Sequence, residues 1–391
     1  MIIKHLTLTN FRNYASLELE LPPNPVVIRG DNAQGKSNLL EAIYLLATSK
    51  SLRTTAEREL IRWGGEGEDI WWARLQAEVK RAQDEVRLEI ALQQEMLSPS
   101  LRGSGTKKRI RINGIARRAA DLVGQVKVVM FSPQDIEIIG GAPSLRRRYL
   151  DITNSQVDRA YLRSLQHLQR VLEQRNRLLR LILDGRSRSQ ELHFWDGELV
   201  EKGCYLMAQR QQLVAQLSEL AQDIHHRLTQ GREKLEILYL PSLGPEVPLG
   251  RPEAMAEVFH EALERNRRKE IAQGVTLVGP HRDDIQFQVN GVHMGRYGSR
   301  GQQRTIVLSL KLAEASFIQA RAGDAPVLLL DDFLSELDRE RRRHLQEAIA
   351  PYEQVIITAT DLELFEPSFL APATKLEVRR GAIQELRAQN P

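Results

Sequence analysis

The sequence predicts an α/β protein in which a mainly helical lobe is inserted into a domain built on mixed β-sheets. Three observations support this fold class. Short apolar strands occur towards both ends of the chain, a glycine-bounded loop joins one of them to a helix, and helical repeats occupy the middle. We expect the split domain to comprise residues 1–132 and 271–391, and the inserted lobe to comprise residues 133–270.

The first 132 residues show the alternation of apolar and polar side chains that is typical of half-buried strands. A short apolar strand runs directly into the glycine-bounded loop, and a helix is predicted to begin near Lys36. Asn113-Gly114 predicts a hairpin turn, because both residues tolerate positive φ. The strands predicted in this part of the chain lie at 2–11, 17–21, 26–28, 71–79, 85–92, 109–115 and 126–131.

The chain changes character after Pro133, where apolar residues begin to recur at helical spacing. Helices are predicted at 144–183 and 195–230, followed by a loop rich in Pro and Gly at 241–252. The repeat covers too few heptads for a long coiled-coil arm. Its apolar residues are Leu162, Leu165, Leu168, Leu172, Leu179 and Ile182.

Strands return from residue 275 onwards, and Asn290-Gly291 predicts a second hairpin turn. Helices are expected near 302–321 and 339–349, and apolar strands at 327–330 and 355–358. Strands that are apolar throughout are typical of a parallel sheet buried on both faces. The C-terminal part is therefore expected to complete the α/β domain begun at the N-terminus.

The composition indicates a globular protein with a mild excess of positive charge. Lys and Arg number 55 against 51 Asp and Glu, and 42% of the 391 residues are hydrophobic. Cys204 is the single cysteine, which excludes an intrachain disulfide and a cysteine-based metal cluster. We find neither a secretory apolar block nor an apolar stretch approaching a membrane span. We expect a soluble protein of the cytoplasm.

A phosphate-binding loop is predicted at residues 30–37. Gly30-Asp31-Asn32-Ala33-Gln34-Gly35-Lys36-Ser37 fits the pattern G-x-x-x-x-G-K-[ST] at every fixed position. The glycines let backbone N–H groups turn inward around an anion, and the following helix adds the positive end of its dipole. Lys36 is expected to reach the β- and γ-phosphates of ATP, and Ser37 is expected to hold Mg²⁺.

Two carboxylates end the apolar strand at 327–330. Charge appears in a buried parallel strand only where the strand emerges at the phosphate end of the sheet. Asp331 is expected to orient Mg²⁺ through water. Asp332 stands where ABC-type ATPases usually carry a Glu that polarises the attacking water, so we assign it as the catalytic base. Because Asp is shorter than Glu, slow hydrolysis is expected.

The segment Ser299-Arg300-Gly301-Gln302 resembles the S-G-G-Q core of the ABC signature, with Arg300 in place of the first Gly. In ABC and SMC heads this segment closes over the γ-phosphate held by a second subunit. Taken alone, the string also fits a plain helix N-cap, with Ser before a helix. Its position shortly before the Asp331-Asp332 strand favours the signature.

Two further segments resemble ABC elements. Ser335 and Asp338 match the D-loop pattern S-x-L-D. Thr360 follows the strand at 355–358 and occupies the switch position, where transporter ATPases carry His. Thr360 is therefore our candidate for the residue that senses the γ-phosphate.

Basic residues cluster in two places and predict DNA contacts. Arginines supply phosphate contacts that give affinity without reading sequence. No helix-turn-helix, zinc finger or aromatic stacking platform is evident, so sequence-independent binding is expected. The alternative for the arginines is a solvated helix face with i,i+4 ion pairs, and Arg146–Arg148 could equally be structural by pairing with Asp135 or Asp151. The candidate DNA-contacting residues are Arg146, Arg147, Arg148, Lys107 and Lys108.

These motifs together resemble the RecF family, which has an ABC/SMC-type ATPase head. The segments that carry the resemblance lie at 9–14, 50–54, 131–135, 143–151, 279–284, 297–304 and 330–338. One departure is Gln134, where RecF sequences more often show Glu. As a Q-loop glutamine it would contact Mg²⁺; the alternative is a neutral surface change. By analogy with SMC-type heads, Arg12 and Asn13 contact the nucleotide, with strand-end hydrogen bonding as the alternative.

The resemblance implies an ATP-dependent DNA-binding factor of replication and recombinational repair. Such proteins dimerise on ATP, bind double-stranded DNA and single/double-strand junctions, and help RecO and RecR to load RecA at gaps, which supports the SOS response. ATP hydrolysis is weak and serves as a switch.

Two other classes of protein carry a phosphate loop. The ATPase subunit of an ABC transporter would have a His at the position of Thr360 and would lack the arginine-rich insert. A monomeric P-loop kinase or GTPase would not need Ser299–Gln302, and the base-reading N-K-x-D motif of GTPases is absent from the sequence.

Overall fold

A computed structural model describes residues 1–63, 70–94, 105–244, 247–248 and 250–386 of the chain. The chain divides into two compact units. The sheet unit comprises Met1–Asp135 and Glu314–Pro391, and the helical unit comprises Ile136–Ala313. Within the loop predicted at 241–252, residues 245, 246 and 249 lie outside the described residues.

The N-terminal part of the sheet unit matches the strands and the helix that the sequence predicts. Short 3-10 helices lie at Glu57–Leu60 and Pro133–Asp135. The longer elements are β1 (Ile2–Phe11), β2 (Tyr14–Glu20), β3 (Pro25–Arg29), α1 (Lys36–Thr48), β4 (Trp72–Lys80), β5 (Glu85–Gln94), β6 (Thr106–Ile112), β7 (Ile115–Arg117), α2 (Ala119–Leu122) and β8 (Val128–Phe131). The expected turn at Asn113-Gly114 joins β6 to β7, and both residues have positive φ.

The helical unit contains the long helices and a small sheet. Its elements are α3 (Ile136–Gly140), α4 (Pro143–Val157), α5 (Arg159–Leu183), α6 (Leu192–Leu228), β9 (Leu235–Leu240), α7 (Pro252–Gln273), β10 (Asp284–Val289), β11 (Val292–His293), α8 (Met294–Tyr297) and α9 (Arg300–Ala322), whose last turns belong to the sheet unit. The helical stretch predicted at 144–183 is divided at Asp158, whose carboxylate caps α5 by accepting from the N–H groups of Ala160 and Tyr161 at 2.7 and 3.1 Å.

The second boundary between the units lies after residue 313, not after residue 270 as expected. The reason is strand pairing across the expected boundary. β9, which precedes residue 270, pairs antiparallel with β10, which follows it, and β10 pairs with β11 through the predicted turn at Asn290-Gly291. These strands therefore fold with the helices.

The C-terminal part of the sheet unit completes the parallel sheet. Short 3-10 helices lie at Phe333–Glu336 and Leu362–Leu364. The other elements are β12 (Val327–Asp331), α10 (Arg339–Ile349), β13 (Val355–Ala359), α11 (Pro367–Leu370), β14 (Thr374–Arg379) and β15 (Ala382–Glu385).

Two sheets and one helix organise the core of the sheet unit. One sheet is antiparallel, in the order β2-β1-β4-β5-β6-β7. In the other, β14, β3, β13, β12 and β8 run parallel in that order, with β15 antiparallel at one edge. Helix α1 is buried along most of its length and shares one apolar core with both sheets, because its Leu, Ile and Ala residues cover nearly all of its surface. Among the described residues, no helix is both long and apolar enough to cross a membrane.

Candidate nucleotide-binding site

The candidate site lies at the carboxyl edge of the parallel sheet. Strands β3, β13, β12 and β8 are neighbours and point the same way, so the residues that follow them emerge at one edge. The phosphate loop follows β3, and the acidic pair ends β12. The topology therefore brings together two motifs that are far apart in the sequence.

The phosphate loop turns sharply before α1. Ala33 and Gly35 have positive φ values of 64° and 117°. A side chain at Gly35 would come within 2.5 Å of the Asn13 amide, so this position requires glycine on two grounds. The tip of the loop, residues 31–33, is exposed, while Gly35 and Lys36 are buried. The tip of the loop is therefore accessible to a ligand, while its C-terminal end is held in the protein.

Lys36 is folded back onto its own loop. Its amine donates to the carbonyl of Gly30 and, at 2.9 Å, to that of Asp31. Burial lowers the pKa of Lys36, and the nearby charges of Asp332, Asp331 and Asp31 oppose that shift. The ammonium group is therefore held at the loop, where the phosphates of a nucleotide would replace two carbonyl oxygens as its partners.

Residues at the end of β1 and the start of β2 brace the phosphate loop. The Asn13 amide donates to the Gln34 carbonyl at 2.9 Å, and the Tyr14 hydroxyl donates to the Gly35 carbonyl at 3.0 Å. Gln34 also accepts from the backbone of Arg380 at 2.7 Å. Asn13 thus touches the loop that we expected it to serve, although a direct contact with nucleotide stays a prediction.

Arg12 forms the strand-end hydrogen bonds that the sequence left open as its alternative. Two of its nitrogens donate to the two carboxylate oxygens of Glu41 at 2.9 Å, and a third donates to the Glu59 carbonyl at 2.8 Å. Glu41 is buried in α1. The guanidinium group of Arg12 therefore holds α1 in this structure, and its contact with nucleotide stays a prediction.

Asp331 meets the phosphate-loop helix directly. Its Oδ1 atom accepts from the Ser37 hydroxyl at 2.7 Å and from the Thr358 hydroxyl at 3.0 Å. Its Oδ2 atom is 3.0 Å from a guanidinium nitrogen of Arg53, whose side chain is 42% exposed. Ser37 and Asp331 were expected to share one ion, and the structure brings their oxygens into contact. Arg53 was not expected here, although it lies in one of the segments that carry the family resemblance.

Asp332 adopts a backbone conformation that is uncommon for its residue type. Its φ is 48°, and its N–H donates to the hydroxyl of Thr358 at 2.9 Å. Among the described residues, its buried Oδ1 atom has no hydrogen-bond partner. Burial raises the pKa of Asp332, Lys36 opposes the shift, and Asp331 adds to it. A raised pKa and an unpartnered carboxylate oxygen are properties of a general base.

Two other predicted residues lie at the same edge with exposed side chains. Thr360 follows β13, and Gln134 follows β8, the strand beside β12. Gln134 accepts a hydrogen bond from the Ser132 hydroxyl. It is Thr358, two residues before Thr360, whose hydroxyl contacts Asp331 and the N–H of Asp332. The roles of Thr360 and Gln134 stay predictions.

The D-loop residues form the turn between the acidic pair and α10. The Ser335 hydroxyl donates to the Asp332 carbonyl at 2.7 Å. Asp338 caps α10 by accepting from the Arg341 N–H at 2.9 Å, and its side chain pairs with that of Arg341. Ser335 and Asp338 are exposed. Ser335 is thus placed to fix the backbone of Asp332, whereas Asp338 fixes the start of α10.

The signature segment begins α9 in the helical unit. Gln302 donates its N–H to the Ser299 hydroxyl at 3.2 Å, and its side-chain oxygen accepts from the Ser299 N–H at 3.1 Å. This reciprocal arrangement is a capping box. Ser299, Arg300 and Gly301 are exposed, whereas Gln302 is half-buried. The N-cap reading is therefore confirmed, and the same geometry leaves the segment open to a partner.

The arginines predicted to contact DNA are engaged within the helical unit. Arg146 is buried and forms a two-pronged pair with Asp284 at 2.6 and 2.9 Å, and it also donates to the Gly141 carbonyl. Arg147 donates to the Asp283 carbonyl at 2.8 Å. Arg148 is half-buried. The DNA assignment of Arg146 is wrong because its guanidinium group is used inside the protein, and its partner is Asp284, not Asp135 or Asp151.

The basic residues of β6 separate onto two faces of the antiparallel sheet. Lys108 donates to the Ser49 carbonyl at 2.7 Å and to Glu57 at 2.6 Å, so it has a structural role in place of the predicted DNA contact. Lys107 is exposed on the other face, together with Arg109 and Arg111. A cleft of about 440 Å³ on that face is lined by Arg74, Gln76, Arg87, Glu89, Arg111, Asn113 and Gly114.

Comparisons with known proteins identify the family to which the chain is similar. The family model described as the RecF/RecN/SMC N terminal domain matches residues 2–378. A DNA replication and repair protein RecF of Chloroflexus aggregans is 45% identical over 390 residues, which cover 98% of this chain and 99% of the relative. A RecF of Roseiflexus castenholzii is 46% identical, with 97% and 99% covered.

Solved structures give the same result. A recombination mediator protein RecF, described with ATP and in the RecFOR pathway, matches with a TM-score of 0.87 at 31% identity, covering 98% of this chain and 97% of that one. An Smc head bound to a winged-helix domain of ScpA matches with a TM-score of 0.54 at 15% identity, with 100% and 98% covered, and supports the fold alone. The predicted ABC/SMC-type head is thereby confirmed, and the transporter alternative is not favoured.

Proposed function

The chain belongs to the RecF family of DNA replication and repair proteins, and on that basis we propose that it is an ATP-gated DNA clamp. Two copies close over ATP, hold DNA while closed, and open after slow hydrolysis. The observation that carries the proposal is the 2.7 Å contact between Ser37 and Asp331, which joins the phosphate loop to the acidic strand end.

ATP binding is assigned to residues 30–37. The loop offers backbone N–H groups and the start of α1 to the phosphates, and Lys36 moves its amine from two loop carbonyls to the phosphate oxygens. The hydroxyl of Ser37 and the carboxylate of Asp331 are hard oxygen ligands of the kind that Mg²⁺ prefers, so they fit this ion. When bound, Mg²⁺ neutralises charge on the β- and γ-phosphates.

Hydrolysis is assigned to Asp332. Its unpartnered carboxylate oxygen takes a proton from water as the water oxygen bonds to the γ-phosphorus. The bond to the bridging oxygen breaks, which releases ADP and phosphate. Thr358 fixes the backbone of Asp332, and Ser335 holds its carbonyl. Because a short Asp replaces the usual Glu, the reaction is slow and acts as a timer for opening.

Dimerisation is assigned to the signature segment. A site sealed by one subunit needs no exposed polar helix start, yet Ser299, Arg300 and Gly301 are all exposed. The capping box fixes the start of α9, and the positive end of the helix dipole lies at this exposed N-terminus. We assign this end to the γ-phosphate of ATP on a second copy. The free energy of that contact then couples ATP binding to head closure.

DNA contact is assigned to the exposed face of the antiparallel sheet. Lys107, Arg109 and Arg111 alternate along β6 on that face, so neighbouring charges are about 7 Å apart. Glu89 offsets part of the charge by pairing with Arg74 at 2.8 Å and with Arg111 at 3.6 Å. A row of cations without base-reading groups suits the phosphate backbone, so binding should be sequence-independent and salt-sensitive.

The cellular role follows from family membership. We propose that the protein binds double-stranded DNA and single/double-strand junctions in the cytoplasm. It would work with RecO and RecR to load RecA at gaps and so support the SOS response. ATP and Mg²⁺ are its ligands, and a second copy of the chain is its first partner.

The experiment compares two variants by sedimentation with and without ATP. Lys36→Ala should lose nucleotide binding and association together. Ser299→Arg should bind nucleotide with nearly wild-type affinity but should not associate, because the bulky side chain blocks the partner's γ-phosphate. If nucleotide affinity and association fall together in Ser299→Arg, the signature acts within its own subunit and the clamp proposal is wrong.

A further inference from the structure

We propose that Glu233 is a positioning residue for the signature segment, held in place by the buried His225. This inference rests on the proposed function, because it assigns to Glu233 the task of keeping Gln302 and Ser299 in the arrangement that a second copy must meet. The residues concerned are all in the helical unit.

Glu233 links the core of the helical unit to its surface. One carboxylate oxygen, Oε2, lies 2.9 Å from the Nε2 atom of His225, which is fully buried in α6. The other, Oε1, accepts from the side-chain amide nitrogen of Gln302 at 3.0 Å. The carboxylate therefore bridges a fixed ring and a half-buried amide at the start of α9.

His225 is itself fixed by a second contact. Its Nδ1 atom lies 3.2 Å from the hydroxyl of Ser309, which donates to the carbonyl of Thr305 at 2.9 Å. Ser309 and Thr305 belong to α9, the same helix that Gln302 begins. The ring thus ties α6 to α9 two turns beyond the signature, and the carboxylate ties them again at the signature itself.

The turn that carries Glu233 is built to hold its position. Gln230 and Gly231 have positive φ values of 52° and 76°, which end α6 sharply. The Gly231 N–H donates to the His226 carbonyl at 2.8 Å, and the Arg232 N–H donates to the Thr229 carbonyl at 3.1 Å. The chain then enters β9, so Glu233 is fixed on both sides.

The consequence for Gln302 is a single orientation of its amide. With its nitrogen on Glu233, its oxygen faces the Ser299 N–H at 3.1 Å. A rotated amide would place its oxygen against the carboxylate of Glu233 and its nitrogen against the N–H of Ser299. Two acceptors would then face each other at one end and two donors at the other, so neither hydrogen bond could form. Glu233 therefore decides whether the capping box closes, and the capping box decides where the Ser299 hydroxyl points.

The simpler alternative is that Glu233 and His225 only stabilise the packing of α6 against α9. The two readings differ in what they predict for Glu233→Ala: packing alone lets association fall only in step with the melting temperature, whereas positioning weakens association beyond that fall. In Glu233→Gln the amide oxygen would still accept from Gln302, and the NH₂ group would donate to the ring of His225. Both hydrogen bonds are kept in that variant, so it shows whether the hydrogen bonds or the charge of the pair matters.

The test measures three quantities: ATP-dependent association by sedimentation, nucleotide affinity of the dilute monomer with a fluorescent ATP analogue, and melting temperature. Glu233→Ala should weaken association by about tenfold or more, because it removes a hydrogen bond to a charged group, and should leave nucleotide affinity within about twofold. Glu233→Gln should restore association to within about threefold of wild type. Glu236→Ala is the matched control, since Glu236 pairs only with Lys234 among the described contacts at the surface of β9, and it should change nothing.

If Glu233→Ala folds, either of two results would overturn the inference. One is unchanged association in Glu233→Ala. The other is equal loss of association in Glu233→Ala and Glu233→Gln with an equal fall in melting temperature, which would show a purely structural pair. If Glu233→Ala does not fold, Glu233→Asp keeps the charge but withdraws it from Gln302, and wild-type association in that variant also overturns the inference. Failure of Ser299→Arg to block association would be separate, because it refutes the proposed function whatever Glu233 does.

Discussion

A buried arginine in the helical unit and a partly buried aspartate in the sheet unit differ in how fully they are partnered. In the helical unit, Arg175 is fully buried and pairs with Asp196 at 2.8 Å and with Glu270 at 2.7 Å, while its third nitrogen donates to Thr276. At the edge of the parallel sheet, Asp332 is strained in its backbone and keeps a carboxylate oxygen without a partner among the described residues. All three partners of Arg175 are supplied by the helical unit, whereas Asp332 keeps one oxygen open.

This difference distinguishes charged residues that stabilise the fold from charged residues that remain available for chemistry. A buried charge whose partners are all supplied by the protein has nothing left to offer a ligand, and it serves to fix one packing arrangement. A carboxylate held in an uncommon conformation with an open oxygen is costly unless something else uses it. The abundance of arginine in the helical unit therefore gives less information about DNA than the sequence suggested.

The largest effect on stability is expected when the ion pairs of Arg175 are broken. Arg175→Met should lower the free energy of unfolding by about 3–5 kcal/mol, because it leaves Asp196 and Glu270 as buried carboxylates without their shared cation. The measurement is urea denaturation. Arg177→Met is the matched control, since Arg177 is exposed on the same helix and should change stability by less than about 0.5 kcal/mol. Similar losses in the two variants would refute the distinction.

Replacing Asp332 at the edge of the parallel sheet should lower the rate of ATP hydrolysis and raise the stability of the protein. Asp332→Asn should slow ATP hydrolysis by about 100-fold or more, because the proton acceptor is removed. Steady-state phosphate release measures this. Wild-type rates in Asp332→Asn would show that another group acts as the base.

The same substitution should stabilise the protein free of nucleotide and magnesium. A carboxyl whose folded pKa is raised contributes most stability in acid, and that contribution is lost as the pH rises through the raised pKa. At pH 7, Asp332→Asn should therefore raise the free energy of unfolding, by less than about 1 kcal/mol because solvent screens the partly exposed carboxylate. The gain should vanish below about pH 4, where the wild-type carboxyl is protonated. Thermal melting at the two pH values checks the sign.

The smallest effects are expected for neighbouring lysines on β6. Lys108→Ala should cost about 1 kcal/mol of stability through its lost bonds to Ser49 and Glu57, with DNA affinity little changed. Lys107→Ala should leave stability unchanged and should reduce the salt dependence of DNA binding by about one unit of slope. Melting temperature and a salt series of DNA titrations measure these effects. An exchange of the two outcomes would mean that the wrong face of the sheet has been assigned.

Much of the site was predictable because its motifs act locally. The loop at residues 30–37 carries its geometry in its own glycines, and the strand before Asp331 is apolar until it reaches the sheet edge. Parallel topology then brings the two together, as the hydrogen bond between Ser37 and Asp331, two residues assigned to one Mg²⁺ ion, illustrates. The helix N-cap at Ser299 was also predicted from the sequence, as the alternative to the signature.

The rest depended on contacts between distant segments, which a single sequence does not reveal. Arg146 looked like a DNA-binding residue because Asp284, its partner, lies 138 residues away. The second domain boundary was misplaced because β9 pairs with β10 across the long helix α7. Arg53 follows α1 without any local signal that it would reach Asp331, and Glu233 gives no sign in sequence that it contacts Gln302.

The claim that two copies share each ATP is tested most directly by measuring specific ATPase activity against protein concentration, with the dimer fraction determined by sedimentation in the same buffer. We predict that activity per subunit rises in parallel with the dimer fraction and approaches zero at concentrations where only monomer is present. Full activity in a protein that remains monomeric across the whole range would contradict it.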